Sequence, residues 1–230
     1  PYVPSESAPL DVKAKELGLR FAPGAYVHLL PNIAGFIGAD HVAMLLATGI
    51  PDMEEVVLGL DIGTNTEVAL RAKGRLITCS TASGPAFEGA HIKDGMRAAE
   101  GAIERVCMRE GEILYQTIGG LAPMGLCGSG VLDAVATLRK AGILSRTGRM
   151  MPHPRVREGD DGMEFVLVEK GESGHGRDVV ITGKDVEAIQ LAKGAIRAGI
   201  EILMVEAGIK PHEVERVILA GAFGTYLNVD

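Results

Sequence analysis

One carboxylate stands out for its neighbours. In Leu60-Asp61-Ile62-Gly63-Thr64-Asn65-Thr66 an acid is followed two positions on by a glycine, then by two hydroxyls and an amide. Gly63 carries no side chain, so a ligand can come close to the backbone there. Thr64, Asn65 and Thr66 add polar groups, and turn amides that point inward form an anion nest. An acid beside a row of N–H donors is what a Mg-nucleotide needs. The amides hold phosphate oxygens, and the acid orients a metal-bound water or the attacking water. The same residues also suit a plain hairpin turn with an aspartate at its corner.

Two further turns are rich in glycine. Gly125-Leu126-Cys127-Gly128-Ser129-Gly130 opens an apolar-striped segment with Val131, Val135, Leu138 and Ala141 on one side. A glycine-rich turn at a helix start can hold phosphate through free N–H groups and the helix dipole. Its glycines fall as G-x-x-G-x-G, which is neither a dinucleotide fingerprint nor a P-loop, since no lysine follows. Close helix–strand packing would ask for the same small residues. Cys127 among glycines reads as a small packed residue rather than a nucleophile. Gly221-Ala222-Phe223-Gly224 ends an apolar run and offers open backbone and a ring for a flat ligand. Glu88 and His91 read as exposed side chains before they read as catalytic ones.

The elements that must carry these turns follow from periodicity. Val56–Leu60 is an apolar run that suits a buried strand delivering Asp61 to its tip. Glu67–Ala72 and Arg75–Thr81 read as strands joined by Lys73-Gly74, and Ile103–Met108 and Ile113–Ile118 as a second hairpin. The spacing predicts a short helix over Asp11–Leu17, a strand over Ala25–Leu30, and a helix over His41–Thr48 capped by Asp40. Ser83 is a candidate cap for a helix with Pro85 near its first turn. Met150–Met163 reads as an exposed loop, with short strands at Phe165–Val168 and Val179–Ile181. Thr182-Gly183-Lys184-Asp185 is a capping box that opens a long helix to about Ala207. Its inward side would hold Ile189, Leu191, Ala195, Ile202 and Val205, with Gly194 and Gly199 allowing close approach. Val214–Ala220 is the last buried strand. All three glycine turns then lie at the carboxyl ends of strands, the edge where an open α/β sheet collects ligands.

Composition narrows the class. A chain of 230 residues that is 47% hydrophobic has enough apolar material for a sizeable core. With 4% aromatics and no Trp, that core is aliphatic. A formal charge of −7 excludes a general nucleic-acid binder, which needs a basic face. Cys79, Cys107 and Cys127 are too far apart for a disulfide framework or a metal-site spacing, which favours a reducing, cytoplasmic setting. The apolar stretch Ile33–Ile50 is interrupted by Asp40 and His41, so no membrane span is expected.

Four ordered motifs together resemble one family. They are L-D-I-G-T-N-T-E, S-G-P-A-F-E-G-A-H-I-x-x-G-M, G-L-C-G-S-G-V-L-D and V-I-L-A-G-A-F-G-T-Y-L, preceded by P-N-I-A-G-F-I-G-A-D at Pro31–Asp40. This set is similar to the C-terminal ATPase region of the corrinoid reductive activators, and it covers nearly the whole chain. The resemblance implies an α/β, actin-like (ribonuclease-H-like) ATPase fold, mainly its second half, with a mixed sheet flanked by helices. It places Asp61, Gly63, Thr64 and Asn65, with Thr66 beside them, in a second phosphate loop. Gly128, Ser129 and Gly130 match a helix start near the nucleotide, and Gly221, Phe223 and Gly224 the adenosine turn. Asp61 would be the catalytic acid and would meet Mg2+ through water.

The family fold has two halves, each with an Asp-x-Gly turn after its first strand. Here that turn occurs once. The expectation is therefore a fragment: residues 1–55 the tail of the first ATPase half and a linker, residues 56–230 the second half. The implied cofactors are ATP and Mg2+, with an iron–sulfur cluster only in a preceding N-terminal part. The implied partner is a corrinoid (cobalamin-binding) protein, re-reduced from Co(II) to Co(I), and an exposed half-sheet would allow a homodimer. The fragment alone is expected to bind ATP weakly and hydrolyse little. Two rival readings share these residues: a phosphotransferase of the same fold, like a sugar or acetate kinase, and a non-enzymatic docking module for a corrinoid protein.

Overall fold

The computed structural model describes residues 3–4 and 6–227. In chain order come β1 (Leu10–Lys13), β2 (Tyr26–Leu29), α1 (Ala39–Thr48), β3 (Val57–Ile62), β4 (Thr66–Ala72) and β5 (Arg75–Thr81). Then follow β6 (Ala102–Arg109), β7 (Glu112–Thr117), β8 (Gly125–Leu126), α2 (Gly128–Lys140), β9 (Val156–Gly159) and β10 (Gly162–Val168). The last are β11 (Val179–Thr182), α3 (Gly183–Ala207), β12 (Arg216–Ala220) and the single turn α4 (Gly221–Gly224). The chain divides into two compact units. One comprises Pro1–Ile62, Glu67–Thr81 and Gly199–Gly221, the other Gly63–Thr66, Ala82–Ala198 and Ala222–Asp230.

The first unit is built on a four-stranded sheet in the order β12-β3-β4-β5. β12 runs parallel to β3, with Val217 beside Leu58 and Ala220 beside Asp61. Three residues join β3 to β4, a link short enough only for antiparallel neighbours. Lys73 (φ 50°) and Gly74 (φ 74°) form the two-residue turn into β5. α1 covers one face. Met44, Leu45 and Ile50 pack there against Val57 and Ala69, with Leu76, Ile218 and Ala220 at the margin. Full burial of a Met, Leu, Ile or Val in this set contributes roughly 1.5–3 kcal/mol. Gly59 leaves room for them, because a Cβ there would lie 2.6 Å from Ile50 Cδ1 and 3.6 Å from Met44 Cε. The C-terminal part of α3 covers the other face. Its Gly199 lies against Thr81 and Cys79, and the Cys79 thiol donates to the Gly199 carbonyl at 3.7 Å.

In the second unit, β6 pairs antiparallel with β7 and, over Ala102–Ile103 only, parallel with β8. The rest of that β6 edge is met by α2. Ser129 donates to the Glu104 carbonyl at 3.0 Å, the Asp133 carboxylate accepts from the Val106 N–H at 3.3 Å, and Thr137 donates to the Val106 carbonyl at 3.1 Å. Residues four apart share a helix face, so one polar stripe takes the place of a neighbouring strand. A second sheet, β11-β10-β9, is antiparallel throughout. It buries Phe165, Leu167, Ile181 and the charged Glu164, whose carboxylate receives Arg157 at 2.9 Å and Lys93 at 3.4 Å.

Several expectations need correction. Asp11–Leu17 is not one helix: Leu10–Lys13 pairs with Tyr26–Leu29, and only Ala14–Leu17 turns, as a 3-10 helix. Asp40 is not the cap of α1. Gly38 holds that position, and Asp40 Oδ1 accepts the next N–H, that of His41, at 2.8 Å. Met150–Met163 contains β9 and the start of β10, and Met150 is buried. Leu191, Ile202 and Val205 face outward, while Val186, Ile189, Ala192, Ile196 and Leu203 form the inner stripe. β12 is not fully buried, since Val217 is exposed. The box at the start of α3 is present: Asp185 N–H donates to Thr182 Oγ1 at 3.1 Å, and Thr182 N–H to Asp185 Oδ2 at 2.8 Å. Among the described residues, no helix is long and apolar enough to cross a membrane.

Candidate functional site

In the first unit, Asp61 sits at the carboxyl end of β3, on the face covered by α1. The face is fixed by alternation. A Cβ on Gly59 would lie 3.7 Å from the Ala69 Cβ, so these two oppose each other. Two residues nearer the turn, Asp61 then opposes Glu67 on the same face. Ser80 of the next strand donates to Glu67 Oε1 at 3.0 Å. On α1, His41 is wholly buried beside Met44 and Leu45. Burial pushes the Asp61 carboxyl above its usual range; His41 offsets this in part and Asp40 adds to it. Burial likewise raises Glu67, against the Ser80 hydrogen bond, and lowers His41, against the pull of Asp61 and Asp40.

Gly221 closes this corner. Its φ is 79°, a value that suits glycine, and a Cβ there would run into the Asp61 carboxylate. Gly221 is therefore glycine for two reasons, conformation and space.

In the second unit the turn after β3 is tied down from within. The Gly63 N–H donates to the Asn65 carbonyl at 3.0 Å. Ser83 Oγ donates to the Gly63 carbonyl at 3.0 Å, and the Gly84 N–H to the Thr64 carbonyl at 2.8 Å. The Thr64 hydroxyl donates to Glu88. Thr66 is buried, its hydroxyl 2.8 Å from Ser83 Oγ, while Thr64 and Asn65 are exposed at the tip. Gly63 does not have a left-handed φ; a Cβ there would sit 3.3 Å from the Asn65 carbonyl. The S-G-P-A-F-E motif thus acts as a brace, and Ser83 is a latch rather than a helix cap.

The glycine-rich start of α2 is buried. A side chain on Gly128 would enter the Phe87 carbonyl and come within 2.8 Å of the Phe223 ring, and one on Gly130 would strike the Ile103 carbonyl. The Phe87 and Phe223 rings are stacked, 5.9 Å apart and 13° from parallel. Beside them lies a cavity of about 420 Å³, lined by Glu104, Cys127, Gly128, Ser129, Phe223 and Tyr226 among others. Its walls are mainly apolar, and its size is within the roughly 300–1,000 Å³ of small-molecule pockets.

The structure thus joins Gly128, Ser129 and Phe223 around one hollow in the second unit, and Asp61 with Gly221 in the first. Gly130 and Gly224 are buried in packing, and Thr66 faces inward. Sequence reasoning passed over Phe87, Tyr226, Glu104, Glu67 and His41. Phe87 lies within a quoted motif, but its partner is distant along the chain. Among the described residues, no three His, Cys, Asp or Glu side chains converge as metal ligands.

Comparison with known proteins agrees across methods. Residues 1–53 match the RACo middle region, and residues 55–230 the C-terminal domain of RACo, the ASKHA domain. The chain is 40% identical over 230 residues to the corrinoid activation enzyme RamQ of Eubacterium limosum, covering 96% of this chain and 38% of RamQ. It is 32% identical over 235 residues to the [Co(II) methylated amine-specific corrinoid protein] reductase of Methanosarcina barkeri, covering 93% and 40%. A solved reductive activator for corrinoid,iron-sulfur protein superimposes with a TM-score of 0.86 at 43% identity, over 98% of this chain and 37% of that one. The chain spans less than half the length of each of these relatives. It belongs to the RACo family, carrying that family's actin-like ASKHA domain together with middle-region sequence.

Proposed function

We propose that this chain is the ATP-binding part of an activator that returns Co(II) corrinoid proteins to Co(I). The observation that carries the nucleotide reading is the apolar hollow beside the α2 start, walled by Gly128, Ser129 and Phe223. The relatives' names carry the corrinoid reading.

The residues present fit a nucleotide. Phe223, backed by Phe87, offers a ring face to a purine. Gly128 has no Cβ, and the Phe87 carbonyl and the Phe223 ring fill that space, which seats the ring at the wall of the hollow. Thr64 and Asn65 expose the tip of the turn after Asp61 to phosphate oxygens. Mg2+ keeps most of its water and takes few protein ligands, which suits one carboxylate, Asp61, acting through water. The bound ion would neutralise phosphate charge. Asp61 orients water, and the braced turn holds its shape through Ser83 and Glu88. The cluster that supplies the electron lies outside this chain: Cys107 and Cys127 belong to the second unit, one exposed and one buried, and Cys79 to the first. Binding of MgATP would favour one conformation of the activator, and hydrolysis would reset it, a shift set by differential affinity. The working setting is cytoplasmic, and the partner is a corrinoid protein.

The test is calorimetric titration with MgATP, paired with Phe223→Ala. Loss of the stacked ring is expected to weaken binding by roughly tenfold. The chain alone is expected to bind weakly and turn over little. Wild-type protein that gives no heat with MgATP, or a Phe223→Ala protein that binds as well as wild type, would overturn the assignment of this cavity.

A further inference from the structure

His41 has a place in the fold that packing alone does not explain. It is wholly buried in the first turn of α1, and neither ring nitrogen has a hydrogen-bond partner among the described residues. A neutral imidazole always carries one N–H, and an unpaired buried donor is costly. The packing of α1 shows which strand face the ring belongs to. Met44 lies over Gly59 in a core cluster shared with Leu45, Ile50 and Val57, so this side of α1 rests on the face of β3 that carries Asp61. His41 is three residues before Met44 on the same helix face. Asp61 is two residues beyond Gly59 on the same strand face.

The other polar groups on this side are engaged elsewhere. Glu67 takes the Ser80 hydroxyl, Arg71 donates to the Met53 carbonyl at 3.0 Å, and exposed Asp40 accepts the His41 backbone N–H. β12 turns Ile218 and Ala220 to this face, and with them Arg216, whose guanidinium is held by Glu55 at 2.8 Å. The Asp61 carboxylate has no hydrogen-bond donor among the described residues. A buried donor without an acceptor and an acid without a donor therefore stand on adjoining elements.

We propose that His41 is a positioning residue for Asp61. Its ring N–H takes one carboxylate oxygen when MgATP is bound, which leaves the other oxygen aimed at water. α1 thereby reports on the nucleotide through a single hydrogen bond. This inference rests on the nucleotide reading of Asp61.

The experiment uses the intact activator that carries this chain. His41→Leu removes the donor, and His41→Gln keeps one. For His41→Leu, kcat for ATP hydrolysis is expected to fall about tenfold, the scale of one hydrogen bond to a charged group, while KM for MgATP stays within about twofold. His41→Gln is expected to recover most of the rate. A second readout needs no change at His41. In nitrogen-15 NMR of the imidazole, the protonated ring nitrogen shifts when a non-hydrolysable Mg-nucleotide is added to wild type, and does not shift in Asp61→Ala. Equal losses in both His41 variants, a change confined to KM, or an imidazole signal indifferent to Asp61 would each overturn the proposal while leaving nucleotide binding intact. Wild-type protein that neither binds nor hydrolyses MgATP would overturn the nucleotide reading, and this inference with it.

Discussion

Replacing Gly221 by alanine separates two effects that the structure superimposes. The first is local: at φ 79° an alanine sits in the left-handed region, which costs about 1–2 kcal/mol. The second is a contact. The added methyl would enter the Asp61 carboxylate, whose Cγ would be only 3.3 Å away, so the acid must leave its rotamer at about 0.5–1.5 kcal/mol more. Gly221→Ala should therefore lower unfolding stability by about 1.5–3.5 kcal/mol in an otherwise natural chain. In an Asp61→Ala background the carboxylate is gone, and only the backbone share of about 1–2 kcal/mol should remain. Urea unfolding of the four proteins gives the coupling as a double-mutant cycle. Equal costs in both backgrounds would refute the claim that Gly221 is glycine partly to house Asp61. The backbone share would then stand alone, and the corner would lose its link to the acid.

Two other expectations concern polar groups that hold the second unit. Asp133 is a carboxyl raised by burial, against the Val106 N–H and Arg105. A raised folded value means the native state holds its proton longer than the unfolded chain does, so this contribution is fullest below the usual aspartate value of 3.8 and is lost as pH rises through the folded one. Asp133→Asn keeps an acceptor for Val106 and should raise the melting temperature at pH 7, with the gain vanishing near pH 3; a gain that grows on acidification would contradict the sign. Asp185 is buried and accepts both the Lys93 and the Thr182 N–H at 2.9 and 2.8 Å. Asp185→Ala removes the reciprocal half of the α3 capping box and strands two donors, which should cost about 2–4 kcal/mol in denaturant titrations, and a loss below about 0.5 kcal/mol would count against the box.

What the sequence revealed was whatever is local. Lys73-Gly74 specifies its turn by two left-handed residues, and Thr182 with Asp185 specifies a helix start within four positions, so both could be read directly. β1 misled because Asp11–Leu17 is rich in helix formers, and its pairing with Tyr26–Leu29 is a tertiary choice that propensity does not contain. The outer placement of Leu191, Ile202 and Val205 shows the limit of apolar letters. The buried stripe Val186, Ile189, Ala192, Ile196, Gly199 and Leu203 includes a glycine and an alanine, so hydrophobicity alone pointed to the wrong side of α3. In the candidate site Asp61 was legible because its turn chemistry lies within six residues. The Phe87–Phe223 stack was not, because 136 positions separate the two rings and neither announces the other.

The glycine turns were open to two readings, close packing or ligand approach, and in the structure close packing accounts for the missing side chains at Gly128 and Gly221. Gly128 lacks a Cβ because Phe223 and the Phe87 carbonyl occupy that space, yet the same close fit sets the Phe223 ring as a wall of the hollow. Gly221 lacks one because Asp61 stands there, and the same fit keeps the acid at the strand end. Gly63 is the exception that sharpens the point. Its φ is ordinary and its own N–H is spent on Asn65, so the turn keeps its shape through Ser83, Gly84 and Glu88 rather than through glycine freedom. A turn braced from outside by a separate motif holds its shape without help from a ligand. On the proposed nucleotide reading, Ser83 therefore belongs with the residues at the tip, because its hydroxyl fixes the backbone that carries them.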